Sequence, residues 1–267
     1  MRSAPDGRCC HPSCVRVPPR LLAVASTPIG WAVVLAVGAA ALAAALSLAG
    51  GVDRPPPETG RSTVAAPPAP HETSPTPGPD PADRLAGLLD RRVPEVGTGE
   101  LVPVPGNEPA PGPGRVRAVR VEIERGVPVD GEAFADFVMT TLNDPRGWGR
   151  DGAMSFARSS DEAPLQVVLA TPETGERLCR PLKTSGKLSC RDGSRAVISL
   201  FRWTYGTPDY ANDLTSYRRY VINHEVGHWL GKGHLSCPAP DAPAPVMQQQ
   251  TFGLDGCAPN PWPYPDS

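Results

Sequence analysis

One stretch decides how the C-terminal part of this chain folds: His224-Glu225-Val226-Gly227-His228-Trp229-Leu230-Gly231-Lys232-Gly233-His234. Residues four apart lie nearly above one another on a helix, so His224 and His228 present their imidazoles to one point. Gly231 can leave the helix with positive φ and turn the chain back, which brings His234 to the same point. The spacing therefore predicts a helix, a sharp turn and three converging histidines.

The same stretch predicts a metal centre. Three nitrogen ligands with an open fourth position are typical of catalytic zinc, so we expect His224, His228 and His234 to bind Zn²⁺. Glu225 lies beside the two helical histidines, within reach of a water molecule at the metal. Two alternatives stay open: surface histidines on a helix that ends at Gly231, or a non-catalytic metal site that gives Glu225 no evident role.

The pattern around this stretch is typical of an α+β fold. The metal-binding helix is expected from Asp213 or Thr215 to Trp229. A second helix is expected after Asp130, with an apolar stripe that precedes a stop at Asp144-Pro145. Alternating or apolar runs predict strands at 116–123, 154–158, 165–170 and 196–201. The order strand, helix, strands, helix therefore favours an α+β domain with a mixed sheet and two main helices.

The first 50 residues predict that the rest of the chain is exported. Residues 1–20 carry four arginines, and residues 21–49 then contain no charged side chain. An apolar run of this length spans a bilayer, and arginines on its N-terminal side place that end in the cytoplasm. We therefore expect a cytoplasmic tail at 1–20, a transmembrane signal anchor at 21–50 and an extracellular domain at 94–267, so that the protein is a single-pass protein of the cell membrane. A cleaved signal peptide is the alternative.

A linker is expected at residues 51–93. Ten of the chain's 35 prolines fall here, and such a segment is extended because it cannot bury enough apolar surface to fold. We interpret it as a disordered spacer, with a proline-rich partner ligand as the alternative and a helical turn at 85–89. The net charge of −2 offers no basic excess, which argues against nucleic acid as a partner.

Four cysteines lie in the exported part, where disulfides persist. Cys179, Cys190, Cys237 and Cys257 allow three connectivities. Pairing each cysteine with its nearer neighbour gives Cys179–Cys190 and Cys237–Cys257, and residues 184–187 would supply a hairpin turn for the first pair. We predict these two bridges.

The eleven-residue motif resembles that of the metzincin zinc peptidases. In that clan a methionine turn lies beneath the metal, and Met247 matches it at 13 residues after His234. Residues 93–265 are also similar to an uncharacterised family of membrane-anchored, metzincin-like proteins of GC-rich bacteria. That similarity rests on three segments: Tyr220-Val-Ile-Asn-His-Glu-Val-Gly-His228, Ala244-Pro-Val-Met-Gln-Gln-Gln-Thr251 and Gly256-Cys-Ala-Pro-Asn-Pro-Trp-Pro-Tyr264.

The resemblance implies a metzincin-like fold and a zinc endopeptidase. In that reading a zinc-activated water attacks the peptide bond, Glu225 is the general base, and Met247 is a hydrophobic floor. The substrate would lie along an edge strand, for which 196–201 is our expectation. Cys237–Cys257 would brace the loop that carries Met247 between these two cysteines, which we call the methionine loop. Some metzincins carry a Tyr where this chain has Gln249. Tyr205, Tyr210 and Tyr264 are then candidates for a second oxyanion donor.

Three functions follow from these observations. The first is a membrane-anchored extracellular zinc peptidase acting on a protein or peptide. The second is a zinc hydrolase that cuts peptide crosslinks or amides of the cell wall. The third is a non-catalytic, zinc-stabilised module that binds the wall.

Overall fold

The computed structural model describes residues 79–210 and 213–266. This part of the chain forms a mixed α+β fold with one six-stranded sheet and five α-helices. The strands are β1 Leu101–Pro103, β2 Arg115–Glu124, β3 Met154–Arg158, β4 Leu165–Ala170, β5 Cys190–Asp192 and β6 Arg195–Ser199. The helices are α1 Pro81–Leu85, α2 Gly131–Leu142, α3 Pro172–Leu178, α4 Leu200–Tyr205 and α5 Leu214–Trp229.

The sheet has the order β1-β2-β4-β6-β5, and β3 pairs with the first half of β2. Strands β2, β3, β4 and β6 run parallel, whereas β1 and β5 are antiparallel to their neighbours. Parallel strands are covered on both faces, which explains the nearly continuous apolar sequence of β4 and β6.

Alternate residues of the central strands face two separate apolar clusters. Leu165, Val167 and Leu169 of β4 join the large cluster with residues of α2 and α5. Val168 and Ala170, on the opposite face, pack with the Cys179–Cys190 bridge. Helices α2 and α5 therefore cover one face of the sheet, and the disulfide covers part of the other.

The principal helices and strands agree with the sequence. Helix α2 begins where expected, because the Asp130 carboxylate accepts hydrogen bonds from the backbone N–H groups of Glu132 and Ala133. Strands β3 and β4 have the predicted bounds. The run at 196–201 is correct only in its first part, since β6 ends at Ser199 and α4 begins at Leu200. Ser199 accepts a hydrogen bond from Arg202 N–H and so caps α4.

Both predicted disulfides are present, Cys179–Cys190 and Cys237–Cys257. A turn does form at 184–187, where the Lys187 N–H donates to the Thr184 carbonyl at 3.0 Å. It is not the turn of a β-hairpin, however, because α3 precedes it and only β5 follows.

The boundary expected between the linker and the domain at residue 93 is wrong. Residues 79–93, expected to be disordered, contain α1, and the turn expected at 85–89 lies instead at Pro81–Leu85. The Asp83 carboxylate pairs with the Arg218 guanidinium at 2.7 Å, and neither side chain is exposed. The folded part therefore begins before residue 93.

The tail at 1–20, the anchor at 21–50 and the linker up to residue 78 lie outside the described residues. Within the described part, no helix combines the length and the apolar character needed to cross a membrane.

Candidate metal centre

Helix α5 positions two of the three histidines. It begins at the cap Asp213, whose carboxylate accepts the Ser216 N–H, and it runs to Trp229. His224 and His228 lie one turn apart on it. Their Nε2 atoms are 3.2 Å from each other.

The turn after α5 brings in the third histidine. Gly231 has a φ of +84°, a conformation that residues with a Cβ rarely adopt. The Lys232 N–H donates to the Gly227 carbonyl, which closes the helix end. The chain then reverses, and the Nε2 of His234 lies 3.0 Å from the Nε2 of His228.

Backbone carbonyls set the orientation of two rings. The Nδ1 of His224 lies 2.8 Å from the Val246 carbonyl oxygen, and the Nδ1 of His228 lies 2.9 Å from that of Lys232. A carbonyl oxygen only accepts hydrogen bonds, so each Nδ1 carries the proton. Each Nε2 therefore presents a lone pair.

These donors fit Zn²⁺. Unprotonated Nε2 atoms 3.0–3.2 Å apart repel one another unless a cation or proton lies between them. Four nitrogens bound tetrahedrally at 2.0–2.1 Å from zinc lie about 3.3 Å from each other, close to the spacing here. Burial lowers the pKa of His224 to about 3 and also lowers the pKa of His234, so both are neutral at pH 7, as ligands must be.

Glu225 lies beside the histidines in a cavity of about 200 Å³, which we call the helix cavity. Its side chain is almost fully buried, and this burial raises its pKa to about 8. A cation held by the histidines would lower this pKa and favour the carboxylate, the form that can take a proton from water. The helix cavity is lined by residues 182–184, 188, 189, 220, 221, 224, 225, 249, 251 and 252.

Met247 lies against α5, the helix that carries His224 and His228. It is buried, and its carbonyl accepts the Leu235 N–H at 3.1 Å, next to His234. The carbonyl of the preceding residue, Val246, accepts the hydrogen bond from the His224 ring. The methionine loop thus contacts the histidines through backbone groups, while the Met247 side chain packs against α5.

None of the three tyrosines named as oxyanion donors lines the helix cavity. Tyr205 donates its hydroxyl to the Arg91 carbonyl, and Tyr210 donates to the Gln250 side chain. Tyr264 packs edge-on against Trp148. Gln249 does line the cavity.

The sequence did not single out the residues that support the methionine loop. The Gln250 amide donates to the carbonyls of Asn260 and Pro245, and its oxygen accepts the Tyr210 hydroxyl. Asn260 in turn donates to the Ala244 carbonyl. All are buried. The available signal in the sequence was the presence of Gln250 and Asn260 in a segment predicted to have neither helix nor strand, where polar side chains can hydrogen-bond to the backbone.

A second group of possible ligands exists on the surface. Glu108, Glu132 and Asp136 have carboxylate oxygens close together, and all three residues are exposed. The Arg158 guanidinium already lies among them, 2.8 Å from Glu132 and 3.0 Å from Glu108. The group is therefore an ion-pair cluster.

Comparison with protein families matches residues 89–265 to the family described as "Protein of unknown function (DUF3152)". The chain belongs to the DUF3152 family. The match begins after α1 and includes the histidines, Glu225 and Met247. Searches of the curated proteins and of the solved structures found no match.

Proposed function

We propose that this DUF3152 protein is a membrane-anchored, extracellular zinc peptidase of the metzincin type. The observation that carries the proposal is the convergence of three imidazole Nε2 atoms beside the buried carboxyl group of Glu225. The turn at Gly231 and the buried Met247 support the same assignment. Zinc held by His224, His228 and His234 would supply a Lewis acid that polarises the substrate carbonyl and acidifies water.

The chain's own residues then carry out proton transfer. Glu225 takes a proton from the attacking water as its oxygen bonds to the scissile carbonyl carbon. As the C–N bond breaks, Glu225 returns that proton to the departing amine. The products are a carboxylate and an amine. The carbonyls of Val246 and Lys232 keep the His224 and His228 rings oriented throughout.

An edge strand offers the place for an extended substrate. Our expectation of 196–201 is wrong, because β6 lies between β4 and β5 inside the sheet. The edge nearest the centre is β5, and Leu188 and Ser189, just before it, line the helix cavity. Antiparallel pairing is slightly more stable than parallel pairing. We therefore propose that a peptide pairs antiparallel with β5, so that its C-terminal side lies over the helix cavity.

Export is part of the proposal. The two disulfides are consistent with an oxidising compartment, as expected for a domain outside the cytoplasm. We propose residues 21–50 as the membrane anchor and residues 51–78 as the tether.

The test is digestion of a complex peptide library by the zinc-loaded full chain and by Glu225→Ala, read by mass spectrometry. New termini with the wild type alone are expected. Absence of cleavage by zinc-loaded wild type would contradict the peptidase. Purified cell wall, offered next, would separate a wall hydrolase from a module that binds wall without Glu225-dependent turnover.

A further inference from the structure

Two cavities flank the candidate metal centre, and they differ in charge. The helix cavity contains Lys183 beside His224 and Glu225. A second cavity of about 280 Å³, which we call the loop cavity, contains Asp255 beside His234. Gln249 and Phe252 line both cavities and so lie between them. A chain that crosses the centre would meet a lysine on one side and an aspartate on the other.

The ammonium group of Lys183 is available to a ligand. Lys183 is exposed, and within the described residues it makes no ion pair or side-chain hydrogen bond. Among the described residues that line the helix cavity, Lys183 is the only lysine or arginine, and Glu225 carries the only carboxyl group.

The loop that carries Lys183 is fixed at both ends. The Cys179–Cys190 bridge closes it, and the neighbouring Thr184 donates both its N–H and its hydroxyl to the Glu176 carboxylate. The backbone at Lys183 is therefore restrained.

Asp255 is equally available. It is exposed at the tip of a turn in which the Cys257 N–H donates to the Leu254 carbonyl at 2.9 Å. No described cation forms an ion pair with it. Among the described residues that line the loop cavity, Asp255 is the only aspartate or glutamate. The Cys237–Cys257 bridge restrains the segment.

We propose that the site selects peptides by charge polarity, taking a basic residue N-terminal and an acidic residue C-terminal to the scissile bond. Lys183 would bind the acidic side chain and Asp255 the basic one. The direction follows from antiparallel pairing with β5, which puts the C-terminal side of the peptide over the helix cavity. This inference rests on the proposed peptidase function and names its substrate class.

The test uses two peptides of equal composition, one with Lys before and Asp after a fixed central sequence, the other with these exchanged. The proteins are the full chain, the double variant Lys183→Glu/Asp255→Lys, and Lys187→Glu as the matched control. Lys187 lies over the Phe201 ring and lines neither cavity. Turnover is measured with the zinc-loaded proteins, and binding by fluorescence anisotropy in the Glu225→Ala background.

We expect the wild type and Lys187→Glu to prefer the Lys-first peptide by about 3- to 10-fold in kcat/KM, since exposed charge pairs are individually weak. The double variant should prefer the Asp-first peptide, and both preferences should shrink with added salt. Equal use of both peptides, or a preference that the charge exchange leaves unchanged, would overturn the inference. If no peptide is cleaved, the proposed peptidase function is wrong. The anisotropy measurement would still show whether peptide binding depends on the order of the charged residues.

Discussion

The backbone of Gly227 lies directly against the sulfur of Met247. A Cβ atom at residue 227 would come within 2.4 Å of the Met247 Sδ and 2.7 Å of Cζ2 of Trp148. Both neighbours are buried. Helix α5 thus rests on the methionine at the turn between His224 and His228, and the close approach requires a residue without a side chain.

Gly227→Ala should therefore destabilise the protein, although alanine favours helices. Displacing Met247 and Trp148 should outweigh the helix gain, for a net loss of about 1–2 kcal/mol in unfolding free energy. Gly233→Ala is the matched control, because a Cβ there meets no atom of the described residues within 4 Å and the φ is not in the left-handed region. Urea unfolding of both variants checks this, and equal stability of the two would contradict the packing account.

The buried ion pair between α1 and α5 predicts a large loss for Asp83→Ala. The variant leaves the Arg218 guanidinium, which is fully buried, without its carboxylate, at a cost of about 3–5 kcal/mol. Asp90→Ala is the control, since its pair with Arg92 is exposed and should be worth less than about 1 kcal/mol. Chemical denaturation measures both. A protein that begins at residue 93 should be destabilised for the same reason, and a shortened protein as stable as the full chain would contradict this.

Neighbouring glutamines in the methionine loop should behave differently. Gln250→Ala removes the partner of the Tyr210 hydroxyl and of Asn260 inside the protein, for an expected loss of about 2–4 kcal/mol. Gln249→Ala should leave stability within about 0.5 kcal/mol, because the Gln249 side chain is exposed. Thermal unfolding compares the pair directly. Similar melting temperatures for the two variants would show that the Gln250 network does not stabilise the loop.

Removal of either disulfide should lower stability, but only removal of Cys237–Cys257 should weaken zinc binding. Removal of either bridge should cost about 2–4 kcal/mol. The segment between Cys237 and Cys257 contains Met247 and Val246, so Cys237→Ser/Cys257→Ser should also weaken zinc affinity. Cys179→Ser/Cys190→Ser should instead raise KM for peptides, because that loop forms a wall of the helix cavity. Zinc titration and steady-state kinetics on both double variants test this, and the same effect on zinc affinity from both would contradict it.

Local sequence information was sufficient for the centre. The histidine spacing, the helix and the turn at Gly231 are encoded within eleven residues, so α5 and the convergence of the histidines could be predicted. The same holds for α2, whose cap and apolar stripe are contiguous. Both disulfides could be predicted because each joins cysteines that are near in sequence.

Features that depend on distant residues could not be predicted. Strand β5 has three residues and is defined only by pairing with β6, so the sequence pattern predicts the edge strand at 196–201 instead of at β5. The polar, proline-rich sequence around α1 is typical of a linker. Asp83 nevertheless forms a buried ion pair with Arg218, which is distant in sequence. The three tyrosines that were candidate oxyanion donors make other contacts. They hydrogen-bond to Arg91 and Gln250 or pack against Trp148, and sequence spacing does not predict these partners.

The most direct test of the account measures zinc content and peptide turnover together for the full chain, His228→Ala and Glu225→Ala. We expect one bound zinc and turnover in the wild type. We expect loss of both in His228→Ala, and zinc retained with turnover abolished in Glu225→Ala. Full activity in Glu225→Ala, or undiminished zinc binding in His228→Ala, would contradict the proposed centre.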